Sequence, residues 1–122
     1  MTLLAVMIGG AIGSGLRYGV SLILNPNLGD GIPWGTLSVN LVGCLLIGWA
    51  ANWMSGSSEA IRLGVLVGVL GGFTTFSSFG LEAIRLFQSG QFSAAMFYIL
   101  LSNAGGLAGA WIGLRQGISI GQ

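Results

Sequence analysis

The sequence predicts an all-α membrane protein: four transmembrane helices per chain in a single domain covering residues 1–122, with the third helix broken at mid-membrane. Three observations carry this expectation. Hydrophobic residues make up 53% of the 122-residue chain and charged ones only 6%, far from the balance of soluble proteins. The apolar residues fall into four segments, each near or above the roughly 20 residues that a membrane-crossing helix needs. Clusters of Gly, Pro, Asn and Ser separate those segments.

The first segment, 3–24, has no basic region ahead of it and no small-residue cleavage site before a soluble domain, so it reads as a retained span. The stretch from Asn25 through Pro26 and Asp30 to Pro33 forms the longest connection. The second segment, 34–53, carries Trp34 and Trp53 at its ends, where an amphipathic indole suits the membrane–water interface. Ser55-Gly56-Ser57-Ser58 leads into the third segment, 60–87, and Gln88-Ser89-Gly90-Gln91 into the fourth, 92–115. Small residues recur at every fourth position: Ala5, Gly9 and Gly13; Ala60, Gly64, Gly68 and Gly72; Gly105, Gly109, Gly113 and Gly117. Such stripes let helix backbones approach closely in lipid, and packing accounts for most of them.

The centre of the third segment is different. Gly71-Gly72-Phe73-Thr74-Thr75-Phe76-Ser77-Ser78-Phe79 places two glycines, two β-branched threonines and two serines in the middle of an apolar run. Together they lower helix propensity and offer the backbone competing hydrogen bonds. Unwound backbone at membrane depth is tolerated only where protein buries it or where it lines a water-filled path, so the break itself points to an ion or substrate site.

Charge is sparse and evenly placed. Arg62 and Arg115 lie toward the side that holds both termini, Arg17 and Arg85 toward the other. Orientation follows a Lys/Arg bias between loops, and here the bias is close to nil, which predicts insertion both ways up. Four spans make a thin bundle for a pore, so a homodimer is expected, antiparallel if its copies insert oppositely. A net charge of +1 gives no footprint for nucleic acid. With no histidine and the single Cys44, zinc sites and the usual nucleophile–base pairs are missing, which argues against a hydrolase or metalloenzyme.

The remaining polar residues group by depth. Thr36 and Asn40 share a face of the second segment, Tyr98 and Ser102 a face of the fourth. Asn40, Phe76, Phe79, Tyr98 and Ser102 lie at a similar depth and are free to meet. Asn103 reads as glue between helices. Glu82 stands about two turns beyond the break, so no carboxylate sits at mid-membrane, where a proton-coupled carrier usually needs one. Arg17 either snorkels to the interface or makes a vestibule attractive to anions.

The run Gly71 to Phe79, with Gly10-Ala11-Ile12-Gly13-Ser14-Gly15-Leu16-Arg17-Tyr18 before it and Gly35-Thr36-Leu37-Ser38-Val39-Asn40 between, closely resembles the CrcB/Fluc fluoride-channel family over nearly the whole chain. The resemblance implies a fluoride-selective channel of the cell inner (plasma) membrane, built as an antiparallel dual-topology homodimer with two pores. It assigns Phe76 and Phe79 to a phenylalanine box and Asn40 to the pore. Tyr98 and Ser102 match pore-lining positions of the fourth span, and Thr36, Ser77 and Ser78 add hydroxyls to the anion pathway, with Arg17 at its vestibule. A structural sodium ion (Na+), not transported, is expected on the backbone carbonyls of Gly71 and Thr74. Gly106 stands where another hydroxyl occurs in some relatives. Two rivals fit less well: a small dual-topology multidrug or cation exporter, which would want a central carboxylate, and a noncatalytic membrane assembly subunit, which leaves the polar cluster unexplained.

Overall fold

A computed structural model describes residues 1–25 and 31–120. The middle of the first connection, including Pro26 and Asp30, lies outside the described residues. The described residues are all-helical, and among them are four helical stretches long and apolar enough to cross a membrane. They are α1 (Thr2–Leu24), α2 (Trp34–Trp53), a third stretch from Glu59 to Gln88, and α6 (Phe92–Ile120). The fourth thus continues past Arg115, where the apolar run in the sequence ends.

The third stretch is composite. It consists of α3 (Glu59–Leu63), a π-helical segment (Gly64–Leu70), α4 (Gly71–Phe73) and α5 (Phe76–Gln88). Helical winding stops after Phe73 because Thr74 (φ −88°, ψ 161°) and Thr75 (φ −152°, ψ 125°) are extended. Thr75 then caps α5, its hydroxyl accepting the Ser78 N–H. The far end of α5 closes through Gly90, whose φ of +79° suits only glycine well. Gln91 N–H bonds the Leu86 carbonyl and Gly90 N–H the Phe87 carbonyl, which satisfies the last turn.

Two backbone-to-backbone seams hold the bundle. Along the first, α1 packs on the π-helical segment and α4. A Cβ on Gly13 would run into the Val69 carbonyl, and one on Gly72 would come within 2.8 Å of the Gly10 carbonyl. In the second seam α2 lies along α6, where Gly113 faces the Leu45 carbonyl and Gly48 the Ala110 carbonyl, each too close for a side chain. Lipid gives no hydrophobic reason for helices to associate, so this close approach and the dispersion it permits supply much of the cohesion.

The π winding has a part in the first seam. On an α-helix of 3.6 residues per turn, residue i+4 lies about 40° past residue i, so a four-residue stripe drifts round the helix. The wider π turn needs more residues, and its four-residue step falls short of a full turn instead. Alternating the two windings keeps Gly64 and Gly68 near one line toward α1, where they face Ala5, Val6 and Gly9. At the other end of the bundle, Leu37, Phe79, Ala83, Leu86, Ala95 and Tyr98 form a buried cluster joining α2, α5 and α6.

Candidate functional site

The extended pair Thr74–Thr75 is held by side chains from two other helices. From α2, Asn40 Oδ1 accepts the Thr75 N–H at 2.8 Å while Asn40 Nδ2 donates to the Thr75 carbonyl at 3.0 Å. The carboxamide thus pairs with an extended residue as a neighbouring β-strand would. From α1, Arg17 Nε donates to the Gly72 carbonyl at 3.0 Å. The Thr74 N–H and hydroxyl both turn back to the Leu70 carbonyl, each at 3.1 Å.

Beside this pair lies a cavity of about 200 Å³, lined by Asn40, Cys44, Thr74, Thr75, Phe76, Phe79, Ser102 and Asn103. Its walls carry amide, hydroxyl, thiol and aromatic groups and no ionisable carboxylate or base. The Ser102 hydroxyl oxygen is buried without a hydrogen-bond partner, which is costly unless something in the cavity supplies one. Asn103 instead donates to the Ile99 carbonyl of its own helix at 2.8 Å.

Three rings run away from the cavity in sequence. Phe76 and Phe79 have centroids 5.6 Å apart at 48°, and Phe79 and Tyr98 are 5.2 Å apart at 51°. Tilted pairs of this kind turn ring edges, which carry partial positive charge, toward whatever lies beside them. Behind the rings, Glu82 accepts from two hydroxyls: Thr36 Oγ1 at 2.9 Å and Tyr98 Oη at 2.7 Å. These two bonds tie α2, α5 and α6 together.

Residues 4–114 match the family described as CrcB-like protein, Camphor Resistance (CrcB). This chain belongs to the CrcB family. It is 43% identical over 118 residues to a protein of Chloroflexus aurantiacus named fluoride-specific ion channel FluC, with 94% of each chain covered. Proteins of the same name from Hyphomonas neptunium (44% over 115 residues, 91% of each chain) and Thermus thermophilus (46% over 116 residues, 93% of each chain) are similar at the same level. CrcB membership, with four helices of membrane-crossing length, makes this a multi-pass membrane protein.

The site residues expected of a CrcB chain distribute as follows. Asn40, Phe76, Phe79 and Ser102 meet at the cavity. Thr36 and Tyr98 stand behind Phe79 on the Glu82 carboxylate. Ser77 is exposed, with its hydroxyl 3.4 Å from that of Thr75, and Ser78 gives its N–H to the same Thr75 oxygen at 3.2 Å. Arg17 is half-buried and turned onto the third stretch at Gly72. Gly106, the position without a hydroxyl, faces the Cys44 sulfur. Glu82 is the member of this hydrogen-bond network least evident beforehand. Its signal was spacing: it stands three residues after Phe79, next to the buried stripe Phe79, Ala83, Leu86.

Among the described residues no cluster of His, Cys, Asp and Glu is placed to hold a metal. Backbone carbonyls remain, and hard cations favour such oxygen ligands. In a continuous helix the Gly71 and Thr74 carbonyls would accept the N–H groups of Thr75 and Ser78, four residues on. Those two N–H groups go instead to Asn40 Oδ1 and to Thr75 Oγ1. The donor set therefore fits a cation: both expected carbonyls have lost their helical partners.

Proposed function

We propose that this chain forms a fluoride-selective channel that lets fluoride leave the cell passively across the inner (plasma) membrane. The observation that carries the reading is the cavity. Asn40, the unpartnered Ser102 hydroxyl and the rings of Phe76 and Phe79 line a space with no fixed charge. Fluoride is small and strongly hydrated, so it needs replacement donors; an amide hydrogen, a hydroxyl and ring edges offer them in graded strength. Binding of that kind is weak enough for the ion to leave again. The names of the relatives point to the same ion.

The working unit in this proposal is an antiparallel, dual-topology homodimer with the third helix broken at mid-membrane. Thr74 and Thr75 supply the break. Phe76 leaves 80% of its surface open in the single chain, and Gly71 is also exposed, as residues awaiting a second copy would be. A two-fold axis through the break would double the Gly71 and Thr74 carbonyls to four, a set suited to a structural sodium ion. That ion supplies cohesion on the axis; the anion path lies to its side. Hydrogen fluoride enters a cell from acidic surroundings, dissociates inside, and the trapped anion leaves down its gradient.

The test is fluoride efflux from liposomes containing the purified protein, read with a fluoride electrode in sodium-containing buffer, with a potassium ionophore to balance charge. Rapid efflux is expected. Efflux no faster than from protein-free vesicles overturns the reading.

A further inference from the structure

Asn40 makes two bonds that a pore-lining amide has no need of. Its carboxamide accepts from and donates to one residue, Thr75, at 2.8 Å and 3.0 Å. The first bond takes the N–H that would otherwise close the helix onto Gly71. The second fixes Thr75 in its extended conformation, with φ −152° and ψ 125°. Near Asn40 the other diverted bonds act in the same sense. Thr75 Oγ1 holds the Ser78 N–H away from the Thr74 carbonyl, and Arg17 Nε occupies the Gly72 carbonyl between the two. Of the carbonyls at this point, Gly72 is engaged while Gly71 and Thr74 have had their helical donors withdrawn.

We infer that Asn40 is a positioning residue for the cation site: by clamping Thr75 it keeps the Gly71 carbonyl free of amide donors and aimed outward. This rests on the proposed sodium site and is separate from any contact between Asn40 and the anion. The two bonds require an acceptor and a donor on one short planar group. Without them the Thr75 N–H is released to return to Gly71, which would compete directly with a cation for that oxygen.

The roles separate by substitution. Asn40→Asp keeps an acceptor for the Thr75 N–H and adds a negative charge, whereas Asn40→Leu keeps neither bond. Purified dimer in detergent is heated at constant ionic strength while sodium chloride replaces N-methylglucamine chloride, and the sodium concentration giving half of the rise in midpoint is read. Loss of a partner behind a metal ligand costs about 10- to 100-fold in affinity, so Asn40→Leu should need that much more sodium. Asn40→Asp keeps the bond that withdraws the Thr75 N–H but sets a second oxygen against the Thr75 carbonyl, so it should need less extra sodium than Asn40→Leu although it conducts poorly. Asn40→Ala makes the same comparison if the Leu variant does not assemble. A wild-type half-effect concentration in whichever apolar variant assembles overturns the positioning role and leaves the cation site standing. A wild-type midpoint indifferent to sodium removes the site itself, and the role with it.

Discussion

Tyr98 donates its hydroxyl to Glu82 at 2.7 Å, and the carboxylate it bonds is shared with Thr36 at 2.9 Å. Tyr98 has no exposed surface, so its hydroxyl has no water to fall back on. Tyr98→Phe keeps the ring against Phe79 and removes only this bond. The expected loss is about 1 kcal/mol, since the acceptor Glu82 is only half-buried and keeps its bond from Thr36. Thr36→Val should cost less than Tyr98→Phe, because the tyrosine bond is the shorter. Because both hydroxyls serve one carboxylate, the double variant should depart from additivity. Thermal midpoints of the four proteins check this.

Replacing Phe76 or Phe79 by Leu distinguishes conduction from packing. Apolar swaps of similar bulk usually cost less than about 1.5 kcal/mol, so both variants should assemble. Flux should nevertheless fall sharply, since an alkyl chain has no positive edge to offer an anion. Asn40→Asp should conduct less than Asn40→Ser, because a fixed negative charge repels fluoride and is itself costly at that depth. Initial efflux rates are compared with dimer yield on a sizing column. Wild-type rates in both Leu variants would assign the rings to packing.

Gly13→Ala should be among the most damaging single-methyl changes in the chain, because the new Cβ meets the Val69 carbonyl and lies 2.8 Å from the Phe73 nitrogen. Overpacking of this kind costs about 1–3 kcal/mol, and backbone has little room to yield. Gly15→Ala on the same helix, with nothing within 4 Å, serves as the control and should be silent. The yield of folded protein after extraction reads the difference.

Even arginine placement predicts both orientations in one membrane. Reporter fusions at the C-terminus should give signal on both sides, and several added Lys or Arg residues in the loops of one side should fix a single orientation. One orientation only in the unaltered protein would exclude the antiparallel dimer.

Much of this was readable from the chain because a membrane forces long apolar runs, and polar residues inside them stand out. The four helices and the cluster of Asn40, Phe76, Phe79 and Ser102 were accessible in that way. The hydrogen bonds were not. Nothing in the spacing of Arg17 indicates that its guanidinium reaches the Gly72 carbonyl, 55 positions away. Side-chain direction decides that, and sequence periodicity gives only the face. Glu82 was missed for a related reason: it was assessed by depth along its helix, whereas its role follows from the two hydroxyls opposite it on α2 and α6. The π winding of Gly64–Leu70 has no compositional sign, since the same glycines and valines serve an α-helix equally well.

That winding gives the chain a place to absorb changes in its own length. A π turn is an α turn carrying a residue in excess. Deleting one residue between Gly64 and Leu70 lets the segment relax to α winding and returns Thr74, Thr75 and all that follows to nearly the same bearing. An equal deletion inside α2 would swing every later residue of that helix by about 100° and carry its polar face into lipid. Among homologous chains, gains and losses of single residues should therefore gather in the first half of the third helix.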